Sequence, residues 1–483
     1  MGGINAIMNI AAGAIQADQI AMEVVSHNIA NVNTPGYTRQ SAVLESGSPV
    51  SMNQLKIGMG VQVASVAQAF DPYTTRAIQQ NTSSLNEYQT EASILSRLES
   101  LFNETGNATL SNAMNDFWNS WQDVANNPGG TVERTALLEK AGILTQKFNS
   151  LSNDLIQTKK DMNINLQMGI EKVNELTGKI ADLNDRIVAA EADQTSANDL
   201  RDQRNSLLEE LSRWVGNVSV EQGNGSVTVF TQGGNLLVDG NKHWDLQQSG
   251  NNIYWNNVPS DISKNLTGGQ IGGWLDLRDE IVPQYQANLD ELAGTLIQQV
   301  NTLHTAGYTL SGGTGTYFFQ DFLTSPALPS ATDFEGAAAY ISLSSDVLGH
   351  PENIAAGGVS GAPGDNQNAL NIAAIQTDGS LTIRKWTISN RGGSTSSSVE
   401  TTSMDDYYRT LVGEIGITTE AANENQSFVQ SRLDNLRDLR DSVSGVNLDE
   451  EMTELLKLQR AYEASSKIIS IADEMLQSLL QSV

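Results

Sequence analysis

The chain has 483 residues and a formal net charge of -28, from 28 Lys or Arg against 56 Asp or Glu, and it contains no cysteine. The length predicts about two to four domains, and the negative charge argues against nucleic acid or an anionic membrane surface as a partner. The lack of cysteine excludes disulfides, thiolate metal sites and a cysteine nucleophile.

Two features of the sequence concern targeting. No apolar run reaches the length of about eighteen residues that a transmembrane helix needs, so none is predicted. The first basic residue is Arg39, so the basic start of a cleavable signal peptide is missing. If the protein is exported, we expect a route that needs no cleaved signal.

The N-terminal segment predicts a helix with a heptad stripe of apolar residues, interrupted only by Asp18. The helix should end near Thr34, because Pro35 disfavours helical geometry in the residue before it and Gly36 follows. We name the apolar positions the N-terminal stripe and treat them as a candidate assembly surface: Ile4, Met8, Ala11, Ile15, Met22, Val25, Ile29 and Val32.

The middle of the chain predicts short strands, long helices and a small sheet. Alternating residues in 41–70 indicate short strands. A helical period that runs from Leu137 to Ile187 predicts long packed helices and a rod-like domain. Around 216–258 the period changes to two on both sides of the turn-rich string at 223–226, which indicates a β-hairpin or small sheet. Helix resumes near Trp274.

The segment 311–403 is rich in Gly, Ser, Thr and Pro and has no lasting helical period, so we expect an inserted, β-rich domain that faces outward. Helix returns at Met404, and a final helix begins where Asn447 is followed three residues later by Glu450. Its apolar positions, the C-terminal stripe, form a second candidate assembly surface: Leu448, Met452, Leu455, Tyr462, Ile469, Leu476, Leu480 and Val483. We interpret three polar interruptions as residues that set register: Gln459, Ser466 and Asp473.

These patterns predict a mainly α protein with β-rich parts: long, coiled-coil-like terminal and central helices, a small sheet and the inserted β-rich domain. The terminal helices at 1–40 and 445–483 are expected to pair, while 41–310 and 404–444 form a rod-like, mainly helical core. The small β element near 216–258 belongs to that core.

The terminal helices are expected to be marginal by themselves. Burying the N-terminal stripe supplies on the order of 15 kcal/mol, whereas ordering roughly thirty residues costs about 1 to 2 kcal/mol each. We therefore expect these helices to be disordered in the free monomer and to order with partners. The alternative is a helical hairpin that is already buried inside one subunit.

No pattern of catalytic, cofactor-binding or metal-binding residues stands out. The four histidines are far apart and none lies in an H-E-x-x-H motif. Glycines at 268, 269, 272 and 273 precede a helix, but no G-K-[ST] follows, so we interpret them as a turn. The acidic residues 449–451 complement the dipole at a helix start. We predict no catalytic residue, no metal and no cofactor.

The string SHNIANVNTPGYTRQ at 26–40 resembles the signature that follows the first helix of the flagellar rod, hook and hook-associated proteins. The segment 445–480 is similar to the closing helix of the same family. Three strings in the middle resemble its hook-associated branch: DLRDQRNSLLEELS at 199–212, GGQIGGWLDLRDE at 268–280 and LHTAGY at 303–308. The signature residues of the first string are Asn28, Asn31, Thr34, Pro35, Gly36 and Tyr37.

The resemblance implies a structural subunit of the bacterial flagellum, secreted through the type III export channel to the distal end of the hook, at the hook-filament junction. Its terminal helices would line the inner tube, and the subunit would act as a mechanical adaptor. The implied partners are further copies of itself in a ring, the hook protein, a second junction protein and an export chaperone. Two alternatives are a hook or distal rod protein, and a secreted hydrolase domain at 311–403 on an axial scaffold.

Overall fold

The computed structural model describes residues 2–52, 55–102, 109–193, 195–256, 258–322 and 333–481. The chain is 63% helical and 13% strand, with long helices and several small sheets, which confirms the predicted fold class. The α-helices are α1 (Gly2–Ala30), α2 (Pro72–Phe102), α3 (Leu110–Asn126), α4 (Thr131–Ala190), α5 (Asn198–Trp214), α6 (Gly269–Asp276), α7 (Val282–Ala306), α8 (Ala337–Tyr340), α9 (Gln367–Ala374), α10 (Met404–Ser444) and α11 (Leu448–Gln481).

The strands form small antiparallel sheets. β1 pairs with β4, β2 with β3, β9 with β10 and β11 with β12, and a four-stranded sheet has the order β5-β6-β7-β8. Their bounds are β1 (Gln40–Ser46), β2 (Val50–Met52), β3 (Leu55–Ile57), β4 (Val61–Gln68), β5 (Asn217–Glu221), β6 (Val227–Thr231), β7 (Leu236–Asp239), β8 (Lys242–His243), β9 (Leu246–Ser249), β10 (Asn252–Trp255), β11 (Thr382–Ser389) and β12 (Ser394–Thr401).

The first and last helices pack along each other, and the β1-β4 hairpin lies against α1. The approach is close at two glycines: a Cβ on Gly13 would lie 3.2 Å from the Val61 carbonyl oxygen, and one on Gly60 would lie 3.2 Å from Ile10. We name α1, this hairpin and α11 the terminal unit, and the chain between β4 and α11 the body. The chain enters the body once, after β4, and returns once, after α10.

Helix α4 joins the two larger hydrophobic cores of the body. Its apolar residues from Leu137 to Met162 belong to a large core with α2, α3 and α7, and those from Leu166 to Ala181 to a second core with α5, α6 and the four-stranded sheet. A helix of 60 residues is about 90 Å long at 1.5 Å per residue. The body is therefore elongated, as the helical period predicts.

The segment predicted as a separate insert shares the large core. Within its described residues the regular strands are the β11-β12 hairpin, joined by the short helices α8 and α9. Phe318, Phe319, Ile354 and Ile372 are fully buried in the same cluster as the residues of α3, α4 and α7. Apolar residues are sparse in 311–403 and lack a period, so the composition of the segment suggests an exposed domain. In the structure, its few apolar residues are buried by packing against distant helices.

Arg391 ties that segment to the second core. It lies in the β11-β12 turn with a positive φ of 48°. Its guanidinium donates to the Asp276 carboxylate at 2.6 Å and to the carbonyl oxygens of Ser263 at 2.8 Å and Leu266 at 2.6 Å. Arg391 is only 9% exposed. These hydrogen bonds offset the unfavourable free energy of burying its charge and of a backbone conformation that L-residues disfavour.

The four glycines before α7 allow close packing, which differs from the simple turn that the sequence suggests. Gly268 and Gly269 have positive φ values of 72° and 64° at the start of α6. A Cβ on Gly269 would lie 2.4 Å from the Trp214 carbonyl carbon, and one on Gly273 would lie 2.9 Å from the Glu87 carbonyl oxygen. Glycine is required here because α6 contacts the backbones of α2 and α5.

We predict that Gly269→Ala lowers the free energy of unfolding by at least about 1 to 3 kcal/mol, from the left-handed backbone conformation alone. The collision with Trp214 adds to this loss. Gly142→Ala is the matched control, because Gly142 lies within α4 and a Cβ there has no atom within 4 Å. That change should stabilise the protein by roughly 0.5 to 1 kcal/mol. Urea unfolding measures both, and equal effects of the two substitutions would contradict this account.

Candidate assembly site

The signature that follows α1 forms a buried polar cluster at the base of the terminal unit. Asn28 is only 1% exposed. Its amide nitrogen donates to the Gln40 carbonyl oxygen at 2.8 Å and to the Glu451 carboxylate at 2.9 Å, and its amide oxygen accepts from the Tyr37 hydroxyl at 2.8 Å and the Gln40 amide at 3.0 Å. One side chain therefore joins the end of α1, the start of β1 and the start of α11.

The same signature holds the terminal unit to α5 of the body. The Thr38 amide and hydroxyl donate to the two Asp202 carboxylate oxygens, each at 2.8 Å. The Gln40 side chain donates to Asp199 at 2.8 Å, and Gln68 in β4 donates to Asp202 at 3.0 Å. The strings at 26–40 and 199–212, noted separately in the sequence, thus meet in one network.

The backbone of Arg39 lies between the two connections of terminal unit and body. Its amide donates to the Ser444 carbonyl oxygen at 2.8 Å, and its carbonyl oxygen accepts from the Ala69 amide at 2.8 Å. Ser444 is the last residue of α10, and Ala69 follows β4. The sequence contains no local pattern that predicts this role, because backbone groups leave no signature in composition.

Burial dominates the electrostatics of the cluster. Burial raises the pKa of Asp202 to about 6, and the nearby charge of Asp199 raises it further, while the hydrogen bonds from Thr38 and Gln68 oppose the rise. Burial also raises the pKa of the Tyr37 hydroxyl, together with the negative charges of Asp199, Asp202 and Glu451. Tyr37 therefore stays protonated and donates to Asn28.

The other half of the signature faces outward. Asn31 ends α1, since its side chain donates to the His27 carbonyl oxygen at 3.0 Å, and the Thr34 hydroxyl donates to Asn31 at 3.1 Å. Thr34, Pro35 and Gly36 are exposed, and Gly36 has a φ of 79° that favours glycine. This loop lines a cleft of about 510 Å³ together with α5 and the α10-α11 connection.

The N-terminal stripe lies between α11 and the hairpin. Ala11 and Val25 are buried, at 3% and 7% exposure. The six remaining members are half-buried: Ile4, Met8, Ile15, Met22, Ile29 and Val32. Part of each half-buried side chain therefore stays accessible to another molecule.

The C-terminal stripe divides into two faces. Leu455, Tyr462, Ile469 and Leu476 are half-buried. On the side of α11 that faces the chain, the positions between them are Leu458, Ser465 and Ala472. Each lies one residue before a predicted polar position of the stripe. Two of those predicted positions, Gln459 and Asp473, are exposed. Small side chains at 465 and 472 suit a close helix contact. That the polar residues set register between subunits stays a prediction.

The remaining apolar residues of α11 form an outer face. Leu448, Met452 and Leu480 of the C-terminal stripe belong to it, and Val483 lies outside the described residues. We name this set the outer apolar face; its members are between 45% and 75% exposed and are Leu448, Met452, Leu456, Ile468, Ile471, Met475 and Leu480. Leu448, Met452 and Leu456 follow at steps of four near the start of α11, and Ile468, Ile471 and Met475 follow at steps of three and four near its end. Each group is an exposed apolar patch that indicates an interaction surface.

His304, which lies in the body, makes hydrogen bonds that hold the backbone of neighbouring segments. His304 is fully buried, and its ring binds the Thr316 carbonyl oxygen at 2.7 Å and the Ala355 amide at 3.0 Å. Burial lowers its pKa to about 4, so it is neutral. In the described ranges, no group of three or more His, Cys, Asp or Glu is arranged to hold a metal ion. Nor does a helix there have the length and apolarity to cross a membrane.

Three family models match successive parts of the sequence. The Flagella basal body rod protein model matches residues 8–38 and the Flagellar basal body rod FlgEFG protein C-terminal model matches residues 441–482. Between them, the Flagellar hook-associated protein FlgK helical domain matches residues 95–319. The two rod matches cover the ends that form the terminal unit, and the helical domain covers most of the body.

Curated relatives match the chain over its whole length. Flagellar hook-associated protein 1 of Bacillus subtilis is 28% identical, over 97% of this chain and 96% of its own. The proteins of the same name from Salmonella typhimurium and Escherichia coli are 26% and 25% identical, each over 99% of this chain and 100% of its own. The solved flagellar hook junction protein FlgK from Burkholderia pseudomallei shares the fold, with a TM-score of 0.63 at 17% identity over 76% of this chain and 100% of its own.

We predict that the stability contributed by Asp202 depends on pH. Its folded pKa of about 6 lies above the usual 3.8, so the folded state binds this proton more tightly than the unfolded state. The contribution is therefore full below about pH 4 and is lost as the pH rises to about 6. Urea unfolding of wild type and Asp202→Asn at pH 4, 5, 6 and 7 measures it. The free energy of unfolding of wild type should fall relative to that of Asp202→Asn as the pH rises. A rise relative to the variant would contradict the assignment.

Proposed function

Because the chain belongs to the same family as flagellar hook-associated protein 1, we propose that it forms the junction between the hook and the filament of a bacterial flagellum. It is a structural subunit and not an enzyme. The observation that carries the proposal is the collinear match, with the rod-type ends on either side of a hook-associated helical domain. Rod and hook proteins share the ends, so the middle distinguishes the junction from those alternatives.

The outer apolar face of α11 supports assembly through the terminal helices. Its seven side chains are about half accessible in the single chain. Covering them is worth on the order of 5 to 10 kcal/mol per subunit. This gain is available only in an assembled state, which agrees with subunits that polymerise after export.

The partners follow from that position. Copies of the chain would form a ring whose terminal units line the inner tube at the distal end of the hook. The hook protein would contact the ring on one side and a second junction protein on the other, and an export chaperone would cover the terminal helices before secretion. The ring would act as a mechanical adaptor between a bending hook and a stiffer filament.

The alternative of a hydrolase domain at 311–403 has no comparable support. Four phenylalanines of this segment pack into the core of the helical body: Phe318, Phe319, Phe322 and Phe334. They complete the body instead of forming a catalytic unit on it.

Electron microscopy of a strain that lacks this gene tests the function. We expect complete hooks without attached filaments, and filament protein released into the medium. A strain without hooks would instead support the hook or distal rod alternative. Intact, swimming flagella would contradict an axial role altogether.

We predict that the double substitution Ile471→Asp and Met475→Asp abolishes swimming without unfolding the free subunit. Both side chains are about half exposed, at 46% and 49%, so the thermal stability of the free subunit should change by less than about 0.5 kcal/mol. In the assembly the same charges would be buried without partners. Thermal melting of the purified protein and swimming of a complemented deletion strain are the two measurements.

The matched control is Ser470→Asp with Gln477→Asp, which adds the same charge at exposed polar positions of α11. It should swim normally. A large drop in melting temperature for the apolar-face variant alone would show that these residues already pack within one subunit.

A further inference from the structure

The exposed side of α4 changes character along its length. Between Thr131 and Met168 fifteen residues are exposed, and only Glu139 and Lys160 among them are charged. Between Glu171 and Ala190 eight residues are exposed, and six of them are charged. One continuous helix therefore has an almost neutral outer half and a charged outer half, and we name the first the neutral face.

Large apolar side chains project from the neutral face. Val132 is 78% exposed, Ile143 46%, Ile156 38%, Ile164 58% and Met168 54%. The rest of the face consists mainly of Thr, Ala, Gln, Ser and Asn. Exposed aliphatic side chains are unfavourable in water. The second half of α4 is charged on its exposed side, so the helix itself does not require an apolar outer surface.

Half-buried charged residues border the neutral face, and two of them pair with neighbouring helices. Lys140 binds Asp116 of α3 at 2.7 Å, and Asp161 lies 3.5 Å from Arg97 of α2. The half-buried charged residues of this stretch number three acidic and three basic, so their formal charges cancel; they are Glu133, Lys140, Lys147, Asp154, Lys159 and Asp161. A neutral, partly apolar centre beside a polar edge is the usual anatomy of a protein interface.

We propose that the neutral face of α4 is the lateral interface with a neighbouring copy of this chain. The argument for this occupant is charge: each copy has a formal net charge of -28, so two copies repel unless they meet where charge is nearly absent. A closed ring uses different faces on its two sides. The neighbour therefore meets this helix with a different part of its surface, and not with its own α4.

The size of the face agrees with a contact that forms only inside an assembly. Thirty-eight residues of helix are about 57 Å long and about 10 Å wide, so the face buries on the order of 500 Å² per partner. A stable independent dimer needs about 800 Å² per partner. The free subunit thus stays monomeric, and the terminal helices bring neighbours together before α4 contributes. This inference rests on the proposed ring.

Thiol protection tests the interface directly, since the chain has no cysteine of its own. Ser150→Cys places a thiol on the neutral face, and Ala189→Cys places one on the charged half; both positions are exposed. In isolated flagella, labelling of the Ser150 variant by a maleimide should be at least about tenfold slower than in the free subunit, as a buried interface requires. The Ala189 variant should be labelled equally fast in both. Equal labelling of both variants in flagella would overturn the inference.

A thiol-to-amine cross-linker attached at Ser150→Cys then identifies the neighbour by mass spectrometry. A product that contains two copies of this chain supports the assignment. A product with a different flagellar protein, or no product, overturns it.

Charge substitution separates this inference from the proposed function. Ile164→Glu with Met168→Glu adds repulsion on the neutral face, and Ala189→Glu with Ala190→Glu adds the same charge elsewhere on α4. We expect both variants to be exported and to melt like wild type, and the first to be retained in flagella at least about tenfold less, the ratio for a loss of about 1.4 kcal/mol. Equal retention of the two variants overturns the interface and leaves the junction function standing. Absence of the wild-type protein from the hook end overturns the proposed function itself.

Discussion

The backbone of Arg39 is the point on which the arrangement of the whole chain depends. Its amide and carbonyl groups bond to Ser444 and Ala69, the two places where the chain passes between terminal unit and body. Asn28 and Thr38 hold this segment in place, because their polar atoms are buried and each has a partner. A buried polar network of this kind fixes one geometry, since any other leaves groups unsatisfied. This hydrogen-bond network therefore holds the direction in which the terminal unit leaves the body.

Elsewhere in the molecule, apolar packing stabilises the helices and buried arginines stabilise the irregular segments. Apolar residues with a helical period fill the two cores that follow one another along α4, while buried arginines hold irregular segments through carbonyl groups. Arg134 resembles Arg391 in this respect, since it donates to the carbonyl oxygens of Pro128 and Ile354. Without cysteine, such multidentate arginines provide links between segments of the kind that disulfides provide in many extracellular proteins.

Periodicity predicted the long helices well, because a 3.6-residue apolar repeat is a direct consequence of one buried helix face. It placed the positions of the C-terminal stripe less well. Two heptad patterns share Leu455, Tyr462, Ile469 and Leu476. The predicted pattern continues through Gln459, Ser466 and Asp473, and the other continues through the residue before each of these. Only the structure shows that α1 approaches the pattern containing Ser465 and Ala472, whose small or polar side chains do not stand out in a search for apolar residues. Outer and inner faces of α11 could therefore not be separated from sequence.

Contacts between distant segments were beyond any local pattern. Thr38 and Asp202 are 164 residues apart, and nothing in the neighbourhood of either one indicates the other. The same holds for Phe318 and Phe319, which lie in a stretch of turn-forming residues yet fill the large core. In both cases the sequence shows the residue type and the tertiary fold supplies its partner.

The position of Arg39 between Ser444 and Ala69 has a topological consequence. The body begins and ends within two backbone hydrogen bonds of one residue, so it is a guest inserted into a host that consists of α1, the hairpin and α11. A host whose insertion points are adjacent accepts guests of different size without rearrangement. The terminal unit can thus serve as a common module that carries bodies of unrelated length, and the body of this chain can change while the host retains its geometry.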